Sequence, residues 1–308
     1  MKARTETRLN PRRIRHFLVD KGYQEAITYS FVSPEIQALL APADDVVSLS
    51  NPISSDMAAM RTSLWPGLVQ AMQHNLNRQQ NRISLFECGL RFIQQDSELK
   101  QEMMVAGLRS GDDLPEQWGV SSRRVDFFDI KSDVEALLGL SAATDEFRFE
   151  TASHPALHPG QSASVQRNGE TIGYVGALHP QLARKLGLSQ DVMLFEITLA
   201  GIQRTQIPVF HSLSKFPAIR RDFALLVARD LPYQAVLDCV REAAPAVVKD
   251  IQLFDVYTGE NVDSGLKSLA LSLILQESSH TLTDLEVEEA SGVVLAALAQ
   301  RLSAKLRD

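Results

Sequence analysis

The chain has 308 residues, of which 44% are hydrophobic and 22% charged, and its formal net charge is -7. This length predicts more than one domain, and the acidic balance argues against broad nonspecific affinity for nucleic acids, which requires a basic field. Two cysteines, Cys88 and Cys239, are too few for a disulfide framework or a metal cluster by themselves and favour a reducing compartment.

The sequence has no signal peptide and no apolar run near the length of a membrane span, so we expect a cytoplasmic protein without membrane contacts. Its beginning is locally basic. Two interpretations stay open for this segment, an RNA-binding or acidic-partner face and a solvated helix surface. The basic residues are Lys2, Arg4, Arg8, Arg12, Arg13, Arg15 and Lys21.

Helix and strand signals alternate over the first 200 residues. A helix is predicted between Asn10, a suitable N-cap, and Gly22. The Asn168-Gly169 pair tolerates positive φ and predicts a tight hairpin. Further helices are predicted from Pro66, over 126–140 and from Pro180, and strands over 26–31, 83–93, 103–108 and 192–199. Together these elements predict an α+β fold with a mostly antiparallel sheet.

An irregular stretch over 200–214, which contains Pro208, predicts a domain boundary. Beyond it, strands are predicted over 222–228, 251–257, 267–276 and 304–307, and helices over 232–244, with Asp230 as N-cap, and from the capping box at Thr283 and Glu286. The final helix is expected to bury Ala290, Val293, Val294, Ala297 and Leu298. In the strand over 267–276, leucines alternate with small residues, which indicates one buried face. This order predicts a ferredoxin-like βαββαβ domain.

The residues around each candidate argue against most catalytic interpretations. His154 and His158 are four positions apart, but Pro155 and Pro159 place them in a loop, and no nearby Cys or Glu completes a zinc set. The glycines match neither a phosphate loop nor a dinucleotide fingerprint, and no serine lies in a nucleophile elbow. Glu87 lies on a predicted strand, where a structural carboxylate is more common than a catalytic one. We therefore expect neither catalytic residues nor a metal site.

Six segments recur in order along nearly the whole chain: NPISSDMAAMRTSLWPGLVQAMQHNLNRQQNRISLFECGLRF (51–92), HPALHPGQSA (154–163), GYVGALHPQL (173–182), KFPAIRRDFAL (215–225), LFDVYTG (253–259) and KSLALSLILQ (267–276). This ordered set resembles the beta subunit of bacterial phenylalanyl-tRNA synthetase. The resemblance implies a tail of a preceding helical domain at 1–12, a noncatalytic class II synthetase-like domain at 13–205, a linker at 206–214, and a ferredoxin-fold anticodon-binding domain at 215–308.

The resemblance also implies that the first domain has lost catalysis. Ile93 stands where the second class II motif carries an arginine, and VMLFEITLAGI lacks the glycine-rich, arginine-ending third motif. Nothing would then neutralise the phosphates of ATP. The domain is expected to be a scaffold for the catalytic alpha subunit, and the helix after Pro66 is the candidate interface, with core packing as its other role.

For the last domain the resemblance implies contacts with the anticodon of tRNA(Phe). The expected contacts are Lys215, Phe216, Arg220 and Arg221, followed by Phe254, Asp255 and Tyr257. The alternative is that the phenylalanines are core residues and the two arginines form surface ion pairs. Because residues 215–308 hold 10 Lys and Arg against 14 Asp and Glu, we expect weak RNA binding by this domain alone.

The function expected from the resemblance is that of one part of an α2β2 ligase that joins phenylalanine to tRNA(Phe). ATP and Mg²⁺ would be used by the whole enzyme, with the chemistry in the alpha subunit, and this chain would bind no cofactor. The upstream editing and magnesium-binding modules of the family are missing, so the chain is expected to be a fragment. The rival hypotheses are a stand-alone RNA-binding protein and a pure interaction scaffold.

Overall fold

The computed structural model describes residues 7–42, 46–95, 98–210 and 212–307. The chain folds into two compact units, Met1–Pro208 and Val209–Asp308, called unit 1 and unit 2 below. Lys2 and Arg4 of the basic opening segment lie outside the described residues. Within the described ranges, no helix is both long and apolar enough to cross a membrane.

Unit 1 is built on a large sheet. Its strands are β1 (Gln24–Glu25), β2 (Phe31–Val32), β3 (Ala59–Met60), β4 (Ile83–Gln95), β5 (Glu98–Ser110), β6 (Phe147–Thr151), β7 (Leu157–Arg167), β8 (Glu170–Leu178) and β9 (Val192–Thr198). Seven of them form one sheet in the order β1-β4-β5-β9-β8-β7-β6, while β2 and β3 form a separate pair. Over the described residues of the sheet, only β1 pairs with its neighbour in parallel, so the sheet is mostly antiparallel, as predicted.

Helices cover both faces of this sheet. They are α1 (Pro11–Asp20), α2 (Pro34–Leu40), α3 (Trp65–Leu76), α4 (Phe127–Gly139), α5 (Pro180–Lys185) and α6 (Leu199–Gln203), with 3-10 turns at Ser55–Met57 and Thr144–Glu146. On one face Ile14 of α1 and Ile130 of α4 join a core with Phe195 of the sheet. On the other face Leu68 and Met72 of α3 pack in a second core. Glu87 of β4 and Glu196 of β9 are buried between these layers.

Local signals explain several element ends. The Asn10 side chain accepts a hydrogen bond from the Arg12 N–H at the start of α1, and Asp126 begins α4 with a capping box. The β7–β8 turn has φ of 52° at Asn168 and 84° at Gly169, as the hairpin signal predicted.

Two predictions for unit 1 were wrong in detail. Residues 26–30 are not a strand: the backbone is held by Ala26 N–H to Phe86 O and by the Thr28 hydroxyl, which donates to Glu87. These long-range bonds take the place of a strand ladder. Within the stretch predicted to be irregular, Leu199–Gln203 forms the short helix α6, capped by the Thr198 side chain.

Unit 2 has the predicted βαββαβ order. Its elements are β10 (Ile219–Ala228), α7 (Tyr233–Ala243), β11 (Val248–Tyr257), β12 (Leu266–Leu275), α8 (Asp284–Leu302) and β13 (Lys305–Leu306). The antiparallel sheet runs in the order β11-β12-β10-β13. The ferredoxin-like fold class is confirmed.

The core of unit 2 lies between one face of its sheet and the two helices. The four alternating leucines of β12, Leu269, Leu271, Leu273 and Leu275, are all buried there. The Thr283–Glu286 capping box begins α8. Two predictions were wrong: Pro232 rather than Asp230 is the N-cap of α7, and Val293 is 49% exposed on the outer side of α8.

Neither cysteine is a reactive thiol. Cys239 is buried in the core of unit 2, and Cys88 packs against the core of unit 1. Burial raises the pKa of Cys88 to about 11, which leaves almost no thiolate at neutral pH.

Candidate nucleic-acid interface

Among the described residues of unit 2, no helix lies on the second face of its sheet, which is called the open face below. Strand alternation assigns side chains to it: Ile219 and Phe223 pack on the core, so Arg220 and Asp222 point to the open face and Arg221 points to the helix side. Opposite Asp222 on β12 lies Ser272, and opposite Ala224 lies Ala270. The centre of the open face is therefore a floor of small residues.

The Arg220 side chain bridges two other side chains on the open face. Its Nε lies 2.7 Å from Oδ1 of Asp222, and its guanidinium carbon lies 5.2 Å from the centre of the Phe254 ring. The hydrogen bond from Arg220 lowers the pKa of Asp222. The structure thus brings together Arg220 and Phe254, two of the expected contacts, as a cation–aromatic pair with the ring 53% exposed.

The remaining contacts expected on β11 lie on the same strand. The ladder shifts by one residue between Leu253 and Asp255, so Phe254 is the extra residue of a β-bulge. Asp255 pairs with Ala270 and Tyr257 with Ser268, which places both side chains in rows of the open face.

The Tyr257 ring is held in place by its surroundings. Its hydroxyl donates to the carbonyl of Glu260 at 3.1 Å. A Cβ at Gly259 would lie 2.4 Å from the hydroxyl oxygen, so the glycine makes room for the ring.

Lys215 and Phe216 lie just before β10. The Phe216 carbonyl accepts from Gln276 Nε2 at 2.8 Å, and the Ser214 hydroxyl donates to the carbonyl of Glu277 at 2.7 Å. These bonds hold the segment beside the end of β12, where Ile274 pairs with Arg220. Lys215 is exposed and Phe216 is half-buried. Arg221 is exposed, but it lies on the helix side of the sheet. It is therefore the one expected contact that strand alternation separates from the others.

Sequence reasoning missed Arg307, which follows β13. Its guanidinium carbon lies 5.1 Å from the centre of the Tyr257 ring, and its N–H donates to the carbonyl of Ala224 at 2.9 Å. The signal that could have found it is strand alternation, since Lys305 pairs with Leu226 of β10 and Arg307 is two residues further on the same face.

Unit 1 uses its charged groups differently. Glu87, expected to be a structural carboxylate, is 3% exposed and lies 2.8 Å from Arg61 Nη1, which is itself buried. Glu196 is also buried, and it accepts from the Leu64 N–H at 2.6 Å and from the Ser63 hydroxyl. Burial raises the pKa of Glu196. These groups are committed to the fold.

The residues around Ile93, where the second class II motif carries an arginine, do not fit a bound ATP and Mg²⁺. Ile93 is apolar, the nearby Arg91 is paired with Glu102 at 2.6 Å, and Arg61 is neutralised by Glu87. No group of three His, Cys, Asp or Glu suited to a metal ion occurs within the described ranges. Arg61 and Arg91 are therefore both engaged by carboxylates of unit 1.

His154 and His158 stabilise turns. His154 Nδ1 accepts from the Ala156 N–H, and His158 Nδ1 accepts from the Gly160 N–H. The His154 ring also packs against Trp65 at 5.1 Å and against Tyr174 at 4.9 Å. Both side chains thus shape the segment that leads into β7.

The helix predicted as a subunit interface is mostly core. In α3 the side chains of Trp65, Leu68 and Met72 are buried. Large exposed apolar side chains occur instead at Ile27 (92%), Tyr29 (68%) and Ile53 (82%). Apolar surface in this part of unit 1 is therefore offered by the segments before α3.

In the basic opening segment, several cations have partners inside unit 1. Arg8 donates to Gln203 Oε1, Arg15 pairs with Glu25 at 2.8 Å, and Lys21 lies 3.5 Å from Asp133. These contacts support a structural role for part of the segment.

Two family profiles match the chain. Residues 1–199 match the phenylalanyl tRNA synthetase beta chain CLM domain, and residues 214–307 match the ferredoxin-fold anticodon binding domain. Relatives include the phenylalanine–tRNA ligase beta subunits of Pseudomonas fluorescens, 51% identical over 99% of this chain and 38% of that protein, of Nitrosococcus oceani, 54% identical over 96% and 38%, and of Methylococcus capsulatus, 48% identical over 100% and 39%. The chain thus spans less than two-fifths of the length of these relatives.

Proposed function

Because the chain belongs to the family of phenylalanine–tRNA ligase beta subunits, we propose that it is a noncatalytic part of the ligase that joins phenylalanine to tRNA(Phe). In this proposal unit 1 packs on the catalytic alpha subunit of a cytoplasmic α2β2 enzyme, and unit 2 contacts the anticodon region of the tRNA. The domain limits at 13–205 and 215–308 belong to the same proposal. ATP and Mg²⁺ are used by the whole enzyme, outside this chain.

The observation that carries the tRNA-binding role is the open face with its Arg220–Phe254 pair. Exposed aromatic rings stack on bases, and arginine pairs with phosphates or stacks in turn. In many single-strand RNA binders of this topology the aromatics lie on central strands. Here the small residues Ser268, Ala270 and Ser272 occupy the central strand, and the aromatic rings lie on the edge strand β11. We propose that RNA is held along that edge, with Arg220, Phe254, Asp255 and Tyr257 as contacts.

The test is steady-state aminoacylation by a ligase complex that contains this chain with Arg220→Ala or Phe254→Ala. We expect kcat/KM for tRNA to fall about tenfold, the scale of one lost stacking contact. Phenylalanine-dependent ATP–pyrophosphate exchange should stay unchanged, because it needs no tRNA.

Arg301→Ala is the matched control, since Arg301 is an exposed arginine on α8 that pairs with Glu242. Arg221→Ala probes the helix side: a loss as large as that of Arg220→Ala would move the interface off the open face. Unchanged aminoacylation in both Arg220→Ala and Phe254→Ala would overturn the proposed role of this surface.

The observation behind the scaffold role is the exposure of Ile27, Tyr29 and Ile53. Exposed apolar side chains at the surface of a subunit are typical of protein interfaces. Ile27→Asp and Ile53→Asp should reduce co-purification with the alpha subunit while the thermal unfolding of the chain stays unchanged. Intact assembly of both variants would exclude these segments from the subunit interface.

A further inference from the structure

Arg307 reaches across the open face of unit 2. It follows β13, which forms one edge of the sheet, whereas Tyr257 lies on β11 at the opposite edge. The guanidinium carbon is nevertheless 5.1 Å from the centre of the Tyr257 ring. The side chain therefore extends over the two strands between them.

Small side chains make this crossing possible. The row that ends beside Arg307 contains Ala224 on β10 and Ala270 on β12, while the row of Tyr257 contains Ser268 on β12 and Leu226 on β10. An extended arginine therefore has a path over the two alanines, beside Leu226. Larger residues at positions 224 and 270 would lift the side chain off the sheet.

The ring and the guanidinium are both positioned and accessible. Tyr257 is 39% exposed, and its hydroxyl is fixed by the Glu260 carbonyl. Arg307 is half-buried, and the described residues include no carboxylate within salt-bridge distance of it. In contrast, the charge of Arg220 is shared with Asp222 at 2.7 Å. Among the described residues, Arg307 thus offers the open face a positive charge that is not neutralised by an ion pair.

We propose that Arg307 is a further RNA-contacting residue, which pairs with a phosphate of the tRNA while Tyr257 stacks on an adjacent base. This inference rests on the proposed function of the open face. Planar guanidinium groups over an aromatic ring suit this double role, because arginine pairs with phosphate and stacks on bases and rings. The open face then carries two cation–aromatic pairs, Arg220 with Phe254 and Arg307 with Tyr257.

The experiment measures the dissociation constant of tRNA(Phe) for the ligase complex containing this chain, over a range of salt concentrations. Arg307→Ala should weaken binding about five- to tenfold and reduce the slope of log affinity against log salt by about 1, as expected for one lost phosphate contact. Arg307→Lys keeps the charge but not the planar group, so it should give a smaller loss with an unchanged slope.

Lys305→Ala is the matched control. Lys305 is exposed, lies on the same edge strand and points to the same face, two residues before Arg307. If its loss equals that of Arg307→Ala, position over Tyr257 is irrelevant and the proposal fails. The strand itself is kept in all variants, because the backbone of Arg307 rather than its side chain bonds to Ala224.

The variant Arg220→Ala separates the two proposals. Weaker binding by Arg220→Ala with no change in Arg307→Ala would retain the open face as the tRNA site and exclude Arg307. No change in either variant would overturn both proposals. Tighter binding by Arg307→Ala would show that the guanidinium covers the ring instead of contacting RNA, which also overturns the inference.

Discussion

The two sheets of this protein use charged residues in opposite ways. Unit 1 covers both faces of its sheet, and its central charges, Arg61 and Glu87, are buried and paired. In the described part of unit 2, no helix lies on one face of the sheet, and Arg220 lies there exposed beside an aromatic ring. The comparison shows that the covering of a sheet determines the role of its charged groups. Charged groups enclosed between layers stabilise the fold, whereas charged groups on a face without a helix are available to a ligand.

The largest effect expected from this comparison is on the buried pair. Glu87→Ala leaves Arg61 charged and without its partner inside unit 1, which should cost about 3–5 kcal/mol of unfolding free energy. Urea unfolding followed by tryptophan fluorescence measures it, because both tryptophans, Trp65 and Trp118, lie in unit 1. The control is Arg220→Ala, which removes an exposed charge from unit 2; it is followed by far-ultraviolet circular dichroism, because unit 2 has no tryptophan, and should leave the unfolding midpoint nearly unchanged. Equal losses would abolish the distinction between the sheets.

Glu196 sharpens the comparison at the next scale. Glu196→Ala removes the acceptor of the buried Leu64 N–H and Ser63 hydroxyl, and we expect a loss of about 2–3 kcal/mol. Glu196→Gln keeps an acceptor oxygen and should lose less. The two variants can be compared by the same urea titration, and a larger loss in the glutamine variant would contradict the assignment.

Glu196 also predicts a pH dependence. Burial raises its pKa in the folded state, so the folded protein binds more protons than the unfolded chain above the ordinary pKa of glutamate. Stability from this residue therefore falls as pH rises from the ordinary value through the raised one. Glu196→Gln should remove this part of the pH dependence, as measured by thermal unfolding across the acidic and neutral range.

The smallest effect is expected at the capping box of α8 in unit 2. Thr283→Ala should cost about 1 kcal/mol, the usual value of an N-cap.

Hydrogen bonds from Thr283 and His280 lower the pKa of Glu286 to about 2. Its contribution should thus be complete above the ordinary glutamate pKa and be lost as pH falls towards 2. Circular dichroism of Glu286→Gln against the parent in acid tests this, and identical acid transitions would contradict it.

Sequence reasoning succeeded where the signal was local and periodic. The strand predicted over 83–93 is β4 (Ile83–Gln95), and the alternation in β12 and the capping box of α8 are as expected. These features depend on spacing within one segment. The family resemblance is confirmed by the relatives with 51% identity.

The wrong and missing predictions concern residues whose partners lie far away in the sequence. Arg61 bonds to Glu87, 26 residues away, and Thr28 bonds to the same carboxylate, so no local pattern marks the segment around Thr28 as a loop. The open face was predicted only as a set of residues. Which of them meet was decided by pairing between strands, and this pairing separated Arg221 from Arg220 and added Arg307.

The bulge in β11 has a consequence at the level of the gene. Phe254 has no partner residue in the ladder, whereas Leu253 and Asp255 pair with consecutive residues of β12. A deletion of this one codon would join two paired residues and leave a regular strand, with Asp255 and Tyr257 still on the open face. Evolution can therefore add or remove this aromatic ring by a single in-frame insertion or deletion, without changing the fold that carries it.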